Sequence, residues 1–181
     1  MAGITVHRSE SQNACAALNR EATQAKKAGD IDRAVALLQK AKAIAGQDYD
    51  DTRLAKFLEA AGRFDEAMVE VKWLLDNSTY WAKSFFSHQP ASVLLRQKTF
   101  HCARIHKDAA LICRRAGRAD LREHHVQMHG KLMDLVDKLD PVIESDENAR
   151  RLEWETARAQ GGSAYREFLR KRAAATEQNR R

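Results

Sequence analysis

Two short stretches repeat along the chain: KAGDIDRA at residues 27–34 and AAGRFDEA at residues 60–67. In each, a run of helical character ends at a glycine, and another opens close behind with an aspartate and an alanine. Glycine tolerates the left-handed backbone that closes a helix, and aspartate is a favoured N-cap. The two glycines are 33 residues apart, a period typical of stacked helical hairpins. A third turn, AGRADL, follows at residues 116–121.

The segments between these turns have the apolar spacing of helices. Helices are predicted over about 11–28, 32–45, 51–61 and 64–76, then a long helix over about 90–116 behind Pro90. An a/d-type seam follows over 120–140, and Pro141 is expected to end it. A further helix over 146–160 and a short last helix with a basic end complete the pattern. The seam is predicted to contain Leu121, His125, Met128, Leu132, Leu135 and Leu139.

Small and apolar residues recur at matching places in the first two hairpins. Ala22 and Ala55 lie in the first helix of each, and Ala34 and Ala67 early in the second. The later pairs are Leu38 with Val71 and Ala41 with Leu74. On these residues, 14–76 resembles two tetratricopeptide repeats (TPRs), with a further repeat-like hairpin over 90–140. The chain departs from the family pattern in having no opening Trp and no closing Pro.

The resemblance implies an all-α fold: a right-handed array of antiparallel helical hairpins with a C-terminal helical extension. We therefore expect a repeat domain over residues 1–140, with hairpins at about 11–45, 50–77 and 90–140, and an extension with a basic tail over 141–181. In that family, the first helices of the hairpins line a groove that holds an extended or helical partner segment. The predicted function is thus non-catalytic protein binding, as an adaptor or assembly subunit. An array this short is also compatible with self-association.

The net charge of +6 arises in one segment. Residues 81–119 hold eight basic side chains and one acidic one, whereas the flanking segments are close to neutral. Within this segment Arg104, Lys107, Arg114 and Arg118 fall on one helical face, opposite Ile105. Such a stripe would suit an acidic protein segment or the phosphates of a nucleic acid, the alternative function. An ordinary solvated face is the third interpretation.

Aromatic residues cluster between the second and third hairpins. Tyr80, Trp81, Phe85 and Phe86 lie within seven residues. They would either close the open end of the second hairpin or, as Trp and Tyr often do, anchor a partner. We include Trp81, Phe85 and Phe86 with the four basic residues as candidate partner-binding positions.

One group of residues has metal-ligand character. Cys102 and His106 are four residues apart on one predicted helix, and His125 and His129 are four apart on the next. Such pairs on antiparallel helices could form a tetrahedral site, although helical spacing alone produces them often. A buried structural role is the favoured interpretation, and neither a metal nor a cofactor is predicted.

No motif of an enzyme is present: the sequence lacks a phosphate-binding glycine loop, a nucleophile elbow and a zinc-protease pattern. Paired carboxylates such as Asp50-Asp51 and Asp65-Glu66 stand at predicted helix starts, where they serve as caps. Three cysteines without a disulfide-scaffold spacing favour a reducing, cytoplasmic setting. The N-terminal residues 1–8 lack an apolar stretch long enough for a secretory signal, and no membrane partner is expected.

Overall fold

A computed structural model describes residues 10–180, with side chains up to residue 178. Within that range the backbone forms α-helices, one 3-10 turn at Gly46–Asp48, and no strand, so the all-α prediction is confirmed. The N-terminal residues 1–8, which were expected not to form a secretory signal, lie outside it, as does the last residue of the basic tail. The helices are α1 (Glu10–Lys27), α2 (Ile31–Ala45), α3 (Arg53–Ala60), α4 (Phe64–Asp76), α5 (Ser78–Phe86), α6 (Ala91–Arg115), α7 (Ala119–Ala159) and α8 (Gly162–Arg180).

The three repeated turns have the same backbone conformation. Gly29, Gly62 and Gly117 have φ values of +84°, +75° and +71°, the left-handed region in which a side chain is disfavoured. In each turn the residue after the glycine donates its N–H to a carbonyl five residues earlier, at 2.9 Å each time. This is the Schellman arrangement that closes a helix.

The aspartate caps differ between the turns. Asp30 caps α2, because its side chain accepts a hydrogen bond from the Arg33 N–H. The prediction of an equivalent aspartate cap after Gly62 is wrong. Helix α4 begins behind Arg63, which makes no side-chain cap bond, and Asp65 lies inside the first helical turn of α4. There the carboxylate faces the positive end of the helix dipole without capping it.

Consecutive helices pack in pairs, α1 on α2, α3 on α4 and α6 on α7, while α2 also touches α3, and α6 touches both α3 and α4. The matched alanines Ala22, Ala34, Ala55 and Ala67 are all fully buried. Small side chains at these crossings allow the helix axes to approach closely. One apolar cluster runs from α1 to α6, and its largest members include Leu38, Leu74, Ile105 and Ile112.

The segment between the second and third pairs is helical, which the sequence pattern did not predict. Nine residues of this segment form α5, which packs along α6. The Trp81 ring stacks on the His101 ring of α6, with centroids 4.0 Å apart and planes 13° from parallel. At its start, the Asn77 side chain donates a hydrogen bond to the Gln47 carbonyl. Tertiary contacts at both ends therefore order this short helix.

The prediction that Pro141 ends the seventh helix is wrong, since α7 continues through it to Ala159 and takes in the separate helix expected over 146–160. Pro141 and Asp137, whose carbonyl loses its N–H partner, both lie on the exposed face, where water replaces the missing bond. Before the proline, the Arg96 Nε–Asp140 Oδ1 pair, at 2.5 Å, joins α7 to α6. The expected boundary at residues 140–141 thus falls inside one helix.

The buried seam of α7 also differs by one residue from its predicted course. Leu135 is 40% exposed, whereas Val136 is buried at 2%. A straight helix of 3.6 residues per turn drifts from a strict seven-residue repeat, so the buried stripe moves to the neighbouring position. None of the described helices is both long enough and apolar enough to span a membrane.

We expect Gly62→Ala to lower the free energy of unfolding by about 1–2 kcal/mol, because alanine at positive φ is strained. Gly130→Ala is the matched control. Gly130 is exposed inside α7 at ordinary helical φ, with open space where a methyl group would extend, so this change should raise stability by up to about 1 kcal/mol. Urea denaturation followed by circular dichroism measures both. Equal effects of the two substitutions would contradict the proposed role of the turn.

Candidate partner-binding surface

Three of the four basic candidates lie on the open face of α6. Arg104, Lys107 and Arg114 are exposed, while Ile105 on the opposite side of the helix is fully buried. Helical periodicity places these three positions within about a quarter of the helix circumference. Arg118 is also exposed, but it lies beyond the end of α6, behind the turn at Gly117, and precedes α7.

The structure separates these four cations into two pairs. Arg104 donates to the Asp50 carbonyl at 3.2 Å and lies 3.5 Å from its carboxylate. Arg118 lies 3.7 Å from the Asp120 carboxylate and covers the Phe64 ring at 5.3 Å. Lys107 and Arg114 have no ion-pair partner among the described residues. These two are the members of the group whose charge is not compensated by an ion pair in the described part of the chain.

Two apolar residues that sequence reasoning missed belong to the same face. Phe100 is 45% exposed, and Leu111 is partly exposed. Within α6, positions 100, 104, 107, 111 and 114 alternate steps of four and three, the spacing of a helix–helix seam. The sequence contains this spacing, but the prediction included only its basic members. We call these five residues, together with Arg118 behind the Gly117 turn, the α6 stripe.

Polar contacts connect α1, α3 and α6 side by side. Arg53 of α3 donates to the Asn19 carbonyl and the Thr23 hydroxyl of α1, both at 3.4 Å. Lys56 of α3 forms an ion pair with Asp108 of α6 at 2.9 Å. The acid that interrupts the basic segment is therefore used within the fold. The first helices of the three pairs thus form one continuous polar surface beside the α6 stripe.

The aromatic candidates form one cluster of rings around Trp81. Its ring centroid lies 5.5 Å from that of Phe86 and 5.8 Å from that of Phe85, and the ring also stacks on His101. Trp81 and Phe86 are half-buried, whereas Phe85 is 45% exposed and also lines a cleft beside Ile44. The most exposed member of the cluster is therefore Phe85.

The histidines of the third pair meet, but the four-residue metal group does not assemble. His106 and His125 approach Nδ1 to Nδ1 at 2.8 Å in a buried contact between α6 and α7. His129 donates from Nδ1 to the Ala103 carbonyl at 3.0 Å. Among the described residues, no group of three or more His, Cys, Asp or Glu side chains is arranged to hold a metal ion.

Burial lowers the pKa of three histidines in this region, His101, His106 and His125, and so favours their neutral forms. Burial, followed by the charges of His125, His124 and His129, lowers the pKa of His106 to about 4. Burial and then Arg104 lower the pKa of His101 to about 4 as well. Two neutral imidazoles form a hydrogen bond when one nitrogen donates and the other accepts. The His106–His125 contact is therefore a buried structural hydrogen bond.

Comparison with known proteins gives no relative: no family model, no curated protein and no solved structure matches this chain. The class of protein is thus defined by its architecture, an all-helical chain with an exposed basic and apolar stripe. The chemistry of that surface carries the functional argument.

We expect the free energy of unfolding to fall as pH falls from about 6.5 toward 4. Unfolded histidine binds a proton near 6.5, whereas His101 and His106 in the fold bind one only near 4, so the unfolded state holds more protons in this window. His106→Gln and His101→Gln should each flatten this dependence, measured by urea denaturation at a series of pH values. The control His88→Gln removes an exposed ring and should leave the slope unchanged. A slope that His88→Gln flattens equally would contradict the assignment.

Proposed function

We propose that this protein is a non-catalytic protein-binding module of the tetratricopeptide-like class, acting as an adaptor or assembly subunit. Three features support the class: the repeated glycine turns, the fully buried alanines at matched positions, and the order in which the helix pairs contact one another. In this interpretation α1 with α2, α3 with α4, and α6 with α7 are three antiparallel hairpins of a right-handed array, and the C-terminal part of α7 with α8 is the extension.

The observation that carries the binding role is the α6 stripe. It combines two cations that lack a described ion-pair partner, Lys107 and Arg114, with two uncovered apolar side chains, Phe100 and Leu111. A helix that presents apolar residues at the same spacing, with carboxylates beside them, would match it in both shape and charge. We infer that the partner segment is acidic and amphipathic, and helical where it docks.

The carboxylates near this surface favour a non-catalytic role. Asp51 is engaged by both the backbone and the side chain of Arg53. Glu66 is held by Arg63 through two hydrogen bonds of 2.6 Å. Carboxylates used in this way stabilise helix starts rather than activate a substrate. Cys15, Cys102 and Cys113 are all free thiols, which supports a reducing compartment, and we infer a cytoplasmic location.

The test is capture of partners from host lysate, with and without nuclease, using the double variant Lys107→Glu/Arg114→Glu. We expect the wild type to retain a protein partner after nuclease treatment. The double variant should capture about tenfold less of this partner, because reversed charges repel an acidic segment. The matched control is Lys131→Glu/Lys138→Glu on α7, which makes the same charge change at exposed positions and should bind like the wild type.

Two outcomes would overturn this proposal. Equal capture by the wild type and the Lys107/Arg114 variant would make the α6 stripe an ordinary solvated face. Loss of all partners with nuclease, together with a steep salt dependence, would favour the nucleic-acid-associated function of the 81–119 segment, because phosphate contacts weaken sharply as ionic strength rises.

A further inference from the structure

A cleft of about 720 Å³ adjoins the α6 stripe at Arg104, which pairs with Asp50 of the cleft lining. It is bounded by the N-terminal half of α1, by the end of α2, by the 3-10 turn with the loop that follows it, and by the end of α5. Its volume falls in the range of sites that hold a small molecule or one large side chain. The residues that matter for its chemistry are Asn19, Ile44, Asp48, Tyr49 and Phe85.

Two residues that line this cleft carry a buried oxygen atom without a hydrogen-bond partner. Tyr49 is only 5% exposed, and neither its hydroxyl nor the buried Asn19 Oδ1 has a partner. Burial, followed by the charges of Asp51 and Glu70, raises the pKa of Tyr49, so the phenol stays neutral. Buried polar atoms are nearly always hydrogen-bonded in native proteins. Both oxygens can accept a hydrogen bond from an N–H group.

The rim of the cleft has one carboxylate whose charge is not compensated. Of the three aspartates around it, Asp50 is paired with Arg104 and Asp51 with Arg53. Asp48 receives only the Ser84 hydroxyl, at 2.9 Å. The three aspartates and the two arginines together carry a net charge of −1. A cation is therefore favoured at this rim, and an anion is disfavoured.

The sides of the cleft are apolar and partly uncovered. Phe85 is 45% exposed and Ile44 is 40% exposed, and Cys15 and Ala16 lie beside them. An aliphatic stem packs well on such side chains, and a planar cation is attracted to the face of an aromatic ring. The surroundings of Asp48 therefore suit a long side chain with a charged end.

We propose that this cleft binds an arginine side chain of a partner protein. The guanidinium group carries five N–H donors in a fixed plane, which matches a site made of a carboxylate and oxygen acceptors. Its three methylene groups lie against Ile44 and Phe85, and its charge pairs with Asp48. The site does not use Lys107 or Arg114 of the α6 stripe, and it takes a partner group of the opposite charge to theirs.

The experiment uses the purified full chain and two small probes, N-acetyl-arginine methylamide and its neutral analogue N-acetyl-citrulline methylamide. Two-dimensional ¹H–¹⁵N NMR follows the backbone amides during titration. We expect the arginine probe to shift amides of Ile44, Tyr49 and Phe85 in a saturable manner. The citrulline probe, which keeps the shape without the charge, should leave them unchanged.

Variants assign the binding to individual groups. Asp48→Asn should weaken the arginine probe by about tenfold, since hydrogen bonds to charged groups are the strong class, while Asp134→Asn, an exposed position on α7, should bind like the wild type. Tyr49→Phe should weaken binding by about threefold yet leave the melting temperature equal or higher, because it removes a hydroxyl that has no partner.

Equal shifts from both probes, shifts confined to other helices, or unchanged binding by Asp48→Asn would overturn the arginine site. None of these results depends on capturing a partner from lysate. The lysate experiment can therefore contradict the proposed function of the α6 stripe while the titration supports the arginine site, or the reverse.

Discussion

Close packing of small side chains where helices cross is the constraint on which the rest of the structure depends. Ala22, Ala34, Ala55 and Ala67 have no exposed surface, and a larger side chain at any of them would push two helices apart. Because interiors are packed at crystal-like density, such a displacement would be transmitted to neighbouring helices. The close approach of the helices in the first two pairs thus depends on four alanines in the interior.

Helix α6 is the element that joins the preceding helices to α7. It contacts α3 and α4 on one side, α5 along its first half and α7 along most of its length. These contacts use different chemistry: apolar packing by Ile105 and Ile112, ring stacking by His101, and a histidine hydrogen bond at His106. The side of α6 that remains open is the one that carries the proposed stripe. Packing contacts on the other sides of α6 fix the position of this open side.

The charges follow a similar division between structure and recognition. Arg53, Lys56 and Arg104 join neighbouring elements through hydrogen bonds or ion pairs, and partly exposed pairs of this kind contribute about 1 kcal/mol or less each. Their main effect is to orient side chains on the shared surface. Lys107 and Arg114 on the stripe and Asp48 at the cleft have no such ion-pair partner in the described part of the chain. The two proposed sites therefore offer opposite charges to a partner, which would favour one orientation of a segment that reaches both.

The sequence by itself determined the features that depend on neighbouring residues: the three glycine turns, the helical spacing, the burial of Leu38 and Val71, and the shared face of Arg104, Lys107 and Arg114. Those signals are local, since a turn or a helical face is defined within a few residues. Only the tertiary structure decided the helix at residues 78–86, the passage of α7 through Pro141, and the pairing of Arg104 with Asp50, 54 residues away in the chain. The unpartnered Tyr49 hydroxyl likewise appears only when α1, α5 and the 3-10 turn come together. Such contacts join residues distant in the chain, and no short-range pattern encodes which of them will meet.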